Sequence, residues 1–202
     1  MKKAFLLVVF FLVSCASVVN YPLTLSYPPA TQREKTGGAA VAVALLADKR
    51  AVADKRSLGM ADGETAFISL LDGPPVALAK AFAAALENKG YAVRRLDTVW
   101  DGTAQTLIPE WGKAVIGGVL EDFSINVKSS NLVKTEYVCS VKLTLMFADA
   151  PAKEIKHQER FEVSNSYVTV NFSRRKAEDL INSAMAETVE RAVASVDKSL
   201  KQ

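Results

Sequence analysis

The sequence predicts a single α+β domain of two layers, in which a mixed sheet with an antiparallel three-stranded meander carries two main helices on one face. The first observation is three long runs of alternating apolar and polar residues, 113–128, 132–148 and 153–170, which are typical of antiparallel strands. The second is a pair of segments with apolar residues at helical spacing, 76–87 and 177–196. The third is length, because about 188 residues remain after a removable leader, enough for one core and few for two.

The leader is residues 1–14, which contain Lys2 and Lys3, no acidic residue and eleven apolar residues. Its apolar run, residues 4–13, is too short to span the roughly 30 Å hydrocarbon core of a bilayer as a helix. Residues 1–14 are therefore predicted to be a signal peptide for export. Without them the chain has 23 basic and 22 acidic residues. A chain so close to neutral has no general attraction to phosphate backbones, which argues against a nucleic-acid partner.

The residues at the end of the leader, Leu12-Val13-Ser14-Cys15, resemble the lipobox of bacterial lipoproteins. In that family the cysteine sulfur receives a diacylglyceryl group, the chain is cut before the cysteine, and the new amine is usually acylated. The resemblance implies a lipid anchor on Cys15, with acyl chains such as palmitate holding the protein on a membrane. Each buried CH₂ contributes about 0.8 kcal/mol, so two or three chains anchor firmly. An ordinary signal peptide with a chance cysteine and an uncleaved anchor are the alternatives.

The residues after the cysteine bear on location. In lipoproteins of enterobacterial type an aspartate directly after the cysteine favours retention in the inner membrane, and this chain has Ala16 and Ser17 instead. The resemblance therefore implies the outer membrane of a Gram-negative cell, with the domain facing the periplasm.

The segment from the lipidation site to the domain, residues 15–36, contains Pro22, Pro28 and Pro29. Proline fixes φ and biases the preceding residue toward extended conformations, so this segment is predicted to be an extended tether. The alternation of Tyr21, Leu23, Leu25 and Tyr27 allows another outcome, in which part of the tether docks as an edge strand. The domain itself is predicted to cover residues 37–202, starting at Gly37-Gly38.

The first half of the domain combines strands with one helix. The apolar run 39–47 has the length and composition of a buried strand, and a polar loop over 48–59 follows. Asp72-Gly73-Pro74-Pro75 predicts a helix start, and Gly90 supplies the stop. Residues 91–96 are predicted to form a strand and residues 97–112 to be irregular.

The second half is the meander and a terminal helix. In the middle strand one face carries apolar residues and the other is polar: Val133, Tyr137, Cys139, Val141, Leu143, Leu145 and Phe147 share the apolar side. Ser173 is predicted to cap the last helix, whose stripe covers the sheet. Once Cys15 carries lipid, Cys139 has no disulfide partner, and in an apolar strand it is predicted to be a small buried hydrophobe.

This order of elements resembles the YajG family of bacterial lipoproteins. The segments that carry the resemblance are 41–50, Leu58-Gly59, 78–93, 116–122 and the closing helix. The topology is also similar to the auxiliary lipoproteins of ABC-type lipid-transport systems and to the N-terminal domain of TolB. These resemblances imply a non-enzymatic envelope lipoprotein that binds another cell-envelope component. The alternative is an auxiliary lipoprotein of an ABC-type lipid-transport system.

The charged loop has an internal repeat: Asp48-Lys49-Arg50 recurs six residues later as Asp54-Lys55-Arg56. The YajG pattern has a single Asp-x-Arg, so either copy could correspond to it. We predict that Lys49, Arg50, Lys55 and Arg56 contact a partner, together with Trp100, since tryptophan is enriched in interfaces. The structural alternatives are a solvated loop in which each Asp offsets one base, and a tryptophan that covers the sheet.

The sequence contains few residues from which a catalytic site or a metal site could be formed. The sole histidine, His157, lies two residues from Glu159 in strand phase, but no nucleophile motif accompanies it. One histidine and one remaining cysteine cannot form a thiolate or imidazole metal cluster. The sequence therefore predicts no catalytic residue, no metal site and no cofactor.

Overall fold

The computed structural model describes residues 19–27, 39–61, 66–130 and 134–201. Their strands and helices, in chain order, are β1 Val19–Leu23, β2 Ala40–Asp48, β3 Ser57–Ala61, β4 Ala66–Leu70, α1 Pro74–Asn88, β5 Ala92–Trp100, β6 Val115–Ser130, β7 Lys134–Asp149, β8 Glu154–Thr169 and α2 Arg174–Leu200. The predicted signal peptide, Cys15 and the predicted domain start at Gly37-Gly38 lie outside the described residues.

The predicted α+β class is confirmed, with a five-stranded mixed sheet at its centre in the order β5-β2-β6-β7-β8. β2 pairs in parallel with β5 and β6, and β6, β7 and β8 form the predicted antiparallel meander. β2 is an unbroken apolar run because both of its faces are buried: Val41 and Val43 face the main core, while Ala42 and Ala44 face a smaller cluster on the other side.

A second sheet of three short strands, in the order β1-β4-β3, was not predicted as such. β3 and β4 form an antiparallel pair, so the predicted polar loop over 48–59 was wrong at its end, where β3 begins at Ser57, and no strand was predicted for β4. β3 lies very close to β6, since a Cβ on Gly59 would stand 2.0 Å from the Ile125 carbonyl oxygen. Only glycine fits at this contact, which also has φ near +150°.

The predicted tether is in part an edge strand, as the second of the two interpretations had it. β1 pairs in parallel with β4, from Val19 opposite Ala66 to Leu23 opposite Leu70. Leu23 is buried in the main core. Hydrogen bonds then hold the next residues on the last helix, from the Thr24 N–H to Glu178 and from the Ser26 N–H to Asn182.

Both predicted helices are present and lie on one side of the five-stranded sheet. α1 begins at Pro74 after Gly73, whose φ of 75° suits a residue without a side chain. α2 begins after Ser173, whose side chain accepts a hydrogen bond from the Lys176 N–H, as predicted. No helix among the described ranges is long and apolar enough to cross a membrane.

The prediction of an irregular segment from residue 97 was wrong in its first part. β5 continues to Trp100 because its pairing with β2 continues, with Val99 opposite Leu45 and Trp100 opposite Leu46. Two short 3₁₀ turns, Ala104–Thr106 and Pro109–Trp111, follow and cover the face of the sheet away from the helices.

Candidate functional site

The loop between β2 and β3 holds a buried ion pair at its root. The Arg50 side chain is 3% exposed. It donates two hydrogen bonds to the Asp48 carboxylate, from Nη2 to Oδ2 at 2.8 Å and from Nε to Oδ1 at 3.0 Å. The guanidinium also donates to the carbonyl oxygens of Ser57 at 2.8 Å, Phe123 at 3.2 Å and Lys55 at 2.5 Å. Arg50 thereby joins both ends of its own loop to β6, and we call this arrangement the Arg50 clamp.

The electrostatics of the clamp favour the charged form of Asp48. Burial by itself would raise the pKa of this carboxyl, but hydrogen bonds from the side chain and backbone of Arg50 outweigh it and hold the pKa below its usual range. Lys55 adds to the effect, with its Nζ 3.7 Å from Asp48 and donating to the Arg50 carbonyl oxygen at 2.6 Å.

The clamp changes the interpretation of the predicted partner-binding residues. Arg50 is buried with all its contacts inside the chain, so it cannot present its charge to a partner, and its place in the predicted surface was wrong. Lys49 and Arg56 are exposed, and half of the Lys55 side chain is exposed. The sequence does not distinguish the two copies of the repeat as partner-binding candidates. In the structure Lys49, Lys55 and Arg56 lie on the surface and Arg50 does not.

Trp100 also lies in the interior, with 1% of its surface exposed. Its indole N–H donates to the Thr103 carbonyl oxygen at 3.0 Å. The ring packs on β6 where Gly117 leaves room, since a Cβ there would stand 2.6 Å from the ring. Trp100 therefore covers the sheet, as the structural alternative had it, and its predicted exposure to a partner was wrong.

The pair of His157 and Glu159 meets a third side chain from α2. His157 Nε2 lies 2.9 Å from Ser195 Oγ and 3.3 Å from Glu159 Oε2, and the Ser195 hydroxyl donates to the same carboxylate oxygen. The hydrogen bond from Ser195 is the main cause that lowers the pKa of Glu159. In a catalytic triad the acid binds the imidazole nitrogen opposite the nucleophile. Here both partners share Nε2, so the geometry is that of a surface hydrogen-bond cluster.

Cys139 is fully buried in β7, as predicted, and burial raises the pKa of its thiol to about 12. A thiol of this kind carries almost no thiolate at neutral pH and is chemically inert. The described part of the chain contains no group of three or more potential metal ligands.

A row of four aromatic side chains links β1 to the meander. Ring centroids lie 5.0 Å apart for Tyr21 and Phe172, 6.2 Å for Phe172 and Tyr137, and 6.4 Å for Tyr137 and Tyr167. The Tyr137 hydroxyl accepts from the Ser173 N–H at 2.6 Å, just before α2. The sequence does not foretell this row, because its members come from separate segments.

Comparison with known proteins supports the fold. The sequence matches no protein-family model and no curated protein sequence. One solved structure with a similar fold is that of XCC0632 from Xanthomonas campestris, of the family DUF330, with a TM-score of 0.62. The alignment covers 91% of this chain and 97% of that one, at 11% identity. The two chains share a fold. At this identity the likeness shows the fold alone.

Two further solved structures align at lower similarity. A putative neuraminyllactose-binding hemagglutinin homolog from Helicobacter pylori is 16% identical, with a TM-score of 0.48 and coverage of 88% of this chain and 94% of that one. The PelC dodecamer from Paraburkholderia phytofirmans is 13% identical, with a TM-score of 0.44 and coverage of 80% and 93%.

Proposed function

We propose that this protein is a non-enzymatic envelope lipoprotein of the kind that the YajG family represents. Lipid on Cys15 anchors it in the outer membrane, and the charged loop between β2 and β3 binds another component of the cell envelope. The lipobox Leu12-Val13-Ser14-Cys15 supports the anchor. The observation that carries the binding role is the Arg50 clamp, which holds the loop against β6 and leaves the basic side chains of Lys49 and Arg56 exposed.

A clamped loop is suited to recognition. Binding costs conformational entropy when a loop must be ordered, and a loop already fixed at both ends pays less of that cost. Lys49, Lys55 and Arg56 then stand on a fixed frame, and their charge fits an acidic surface on the partner. Asp48-Lys49-Arg50 begins at the last residue of β2, which supports assigning this copy of the repeat to the single Asp-x-Arg of the YajG pattern.

The cluster around His157 weighs against catalysis as the main activity. Glu159 and Ser195 both contact the same imidazole nitrogen, and the Glu159 side chain is 45% exposed. A general base must be oriented by a group other than the one that it deprotonates. His157→Ala should therefore leave the cellular phenotype nearly intact.

The lipid anchor is tested by Cys15→Ser. No other residue of the leader can form a thioether with lipid, so cells that express the variant should hold an unlipidated precursor. Labelled palmitate and membrane fractionation read this out directly. Palmitate incorporated into the variant to the same degree as into the natural chain would contradict the anchor.

The binding surface is tested by a double charge reversal, Lys49→Glu with Arg56→Glu. Crosslinking in intact cells followed by pull-down should show loss of one discrete partner while the protein keeps its natural melting temperature. The matched control is Lys113→Glu with Lys153→Glu, two exposed lysines before β6 and in the β7–β8 turn. If both double variants capture the same partner as the natural chain, the loop is not the binding surface.

A second candidate, an auxiliary lipoprotein of lipid transport, is favoured by one cavity. A cavity of about 380 Å³ lies between the residues after β1, α1 and α2 and has mostly apolar walls, among them Leu25, Leu70, Ala77, Ala81 and Met185. Its volume falls in the range of small-ligand sites. A fluorescent fatty acid should bind the natural chain and not Ala77→Phe if this candidate is right. Equal binding to both would exclude the cavity.

A further inference from the structure

We propose that the end of the domain where β1 begins lies against the membrane and binds the headgroups of anionic phospholipids. This inference rests on the proposed lipid anchor at Cys15, and it adds a second, electrostatic contact between the folded domain and the bilayer. It also sets the orientation of the domain, because one end is assigned to the membrane and the charged loop to the side away from it.

The length of the connection places this end near the bilayer. Val19, the first residue of β1, follows Cys15 by four residues, which span at most about 14 Å when fully extended. β1 cannot drift away from the domain, because it pairs along its whole length with β4 and the next residues are bonded to α2. The start of β1 therefore stays within that distance of the lipid.

The aromatic row shows which other elements share this end. Tyr21 of β1 contacts Phe172, which stacks on Tyr137, which in turn contacts Tyr167. Tyr137 and Tyr167 lie opposite each other near the start of β7 and the end of β8. The open ends of the meander and the first turn of α2 thus lie beside the start of β1.

The chemistry of this end fits an anionic lipid surface. Its exposed basic side chains are Lys128, Lys134, Arg174, Arg175 and Lys176. Its described acidic side chains are fewer, namely Glu136, Glu178 and Asp179. Within the described ranges only Arg174 of the five bases forms an ion pair, with Glu178. We call the five bases the basic end.

Exposed apolar groups accompany the basic end. Val168 is 49% exposed and Val170 is 58% exposed, next to Tyr167 at 41%. The Lys176 ammonium lies 4.9 Å from the centre of the Tyr167 ring. A mixture of basic and apolar or aromatic side chains is what segments at a membrane surface present, since the first attract the headgroups and the second enter the boundary with the acyl chains.

The orientation leaves the proposed binding loop free for a partner. β4 runs from Ala66, beside Val19, to Leu70, beside Arg56, whose carbonyl oxygen accepts from the Leu70 N–H. Arg56 and the charged loop therefore lie at the opposite end of the three-stranded sheet from the membrane contact. One protein can then hold a lipid surface and an envelope partner at the same time.

The test uses the mature chain, residues 15–202, with Cys15→Ser, so that binding does not depend on lipid. Sedimentation with vesicles of phosphatidylcholine alone and with added phosphatidylglycerol measures the partition of the protein. We expect binding to the phosphatidylglycerol vesicles that weakens as salt is added, since each Lys or Arg near an anionic surface contributes about fivefold. The triple variant Lys134→Glu, Arg175→Glu, Lys176→Glu should bind at least about tenfold more weakly.

Acidic residues in the first turn of a helix are favourable, so Arg175→Glu and Lys176→Glu should not weaken α2, and Lys134 is an exposed residue at the start of β7. The melting temperature of the triple variant is measured to check that it folds. The matched control reverses three exposed bases away from the basic end, Arg95→Glu, Lys113→Glu and Lys153→Glu, and should bind like the natural chain. Equal binding to both kinds of vesicle, no binding to either, or equal loss in both triple variants would overturn the inference. Palmitate labelling in cells tests the lipid anchor on Cys15 separately. Failure of the anchor and failure of the headgroup contact can therefore be distinguished.

Discussion

The two copies of Asp-Lys-Arg have the same sequence and different surroundings. In the first copy the Asp48 and Arg50 side chains are 11% and 3% exposed and joined at 2.8 Å. In the second copy the Asp54 and Arg56 side chains are 56% and 66% exposed, and their nearest charged atoms are 3.5 Å apart. The difference shows that position in the fold, and not the tripeptide sequence, decides whether such an ion pair is buried and stabilises the fold or is exposed to solvent.

The neighbours of each arginine explain the contrast. Arg50 stands at the end of a buried strand, where the carbonyl oxygens of Ser57 and Phe123 point at it and satisfy its donors. A charge can be buried only when its partners are this complete. The Asp54 and Arg56 side chains of the second copy are exposed, so water competes for each charge and their ion pair contributes little to stability.

The largest effect is expected from Arg50→Ala. Removal of the guanidinium leaves Asp48 buried without its main partner and frees two ends of the loop from β6, which should lower the free energy of unfolding by about 3–5 kcal/mol. Thermal or urea unfolding of the purified chain measures this. If Arg50→Ala unfolds at the natural temperature, the clamp does not hold the fold.

Asp48→Asn should lower the free energy of unfolding by less than Arg50→Ala does, about 2–3 kcal/mol, because the Arg50 donors keep their carbonyl partners. Since the folded state lowers the pKa of Asp48, the ion pair stabilises the fold fully above the ordinary pKa of an aspartate. That stability is lost as the pH falls through the lowered value. The stability difference between the natural chain and Asp48→Asn should therefore shrink below about pH 4. A difference that stays constant down to pH 2 would contradict the ion pair.

Much of the fold could be predicted from the sequence because its patterns are local. The apolar run of β2, the alternating apolar and polar residues of β7 and the apolar stripe of α2 each indicate a strand or a helix from neighbouring residues alone. β3 and β4 were missed because each is only five residues long, and Gly59 and Ala61 are poor strand signals. β3 packs on β6, and β4 pairs with β3 and β1; no local sequence pattern records these contacts.

The candidate site was less predictable for the same reason. Lys49 and Arg56 could be assigned to a surface loop from their polar surroundings in the sequence. The burial of Arg50 depends on the Phe123 carbonyl, 73 residues away, and that of Trp100 depends on the space above Gly117. Contacts of this kind form only after the chain has folded, so residue type and spacing carry no sign of them.

Lys55 is intermediate between the buried Arg50 and the exposed Arg56. It belongs to the second copy of the repeat but contacts residues of the first. Its ammonium donates to the Arg50 carbonyl oxygen at 2.6 Å but half of the side chain is exposed. Lys55→Met should therefore lower the free energy of unfolding by about 0.5–1 kcal/mol. Chemical denaturation at low salt measures it best, and a loss as large as that of Arg50→Ala would show that the loop depends on both copies.

Arg56→Ala should have the smallest effect, within about 0.5 kcal/mol of the natural chain. It is the matched control for Arg50→Ala, since the same residue type is removed from the same tripeptide. A melting temperature as low as that of Arg50→Ala would remove the distinction between a structural copy and a surface copy.

The central claim is that the exposed part of this loop meets a partner in the cell envelope. It is tested most directly by a photo-crosslinking amino acid placed at position 56, or at position 153 in the distant β7–β8 turn, in the otherwise natural full-length protein in intact cells. We predict a discrete crosslinked product of higher mass from position 56 and none from position 153. No product from position 56, or the same product from both positions, would contradict the claim.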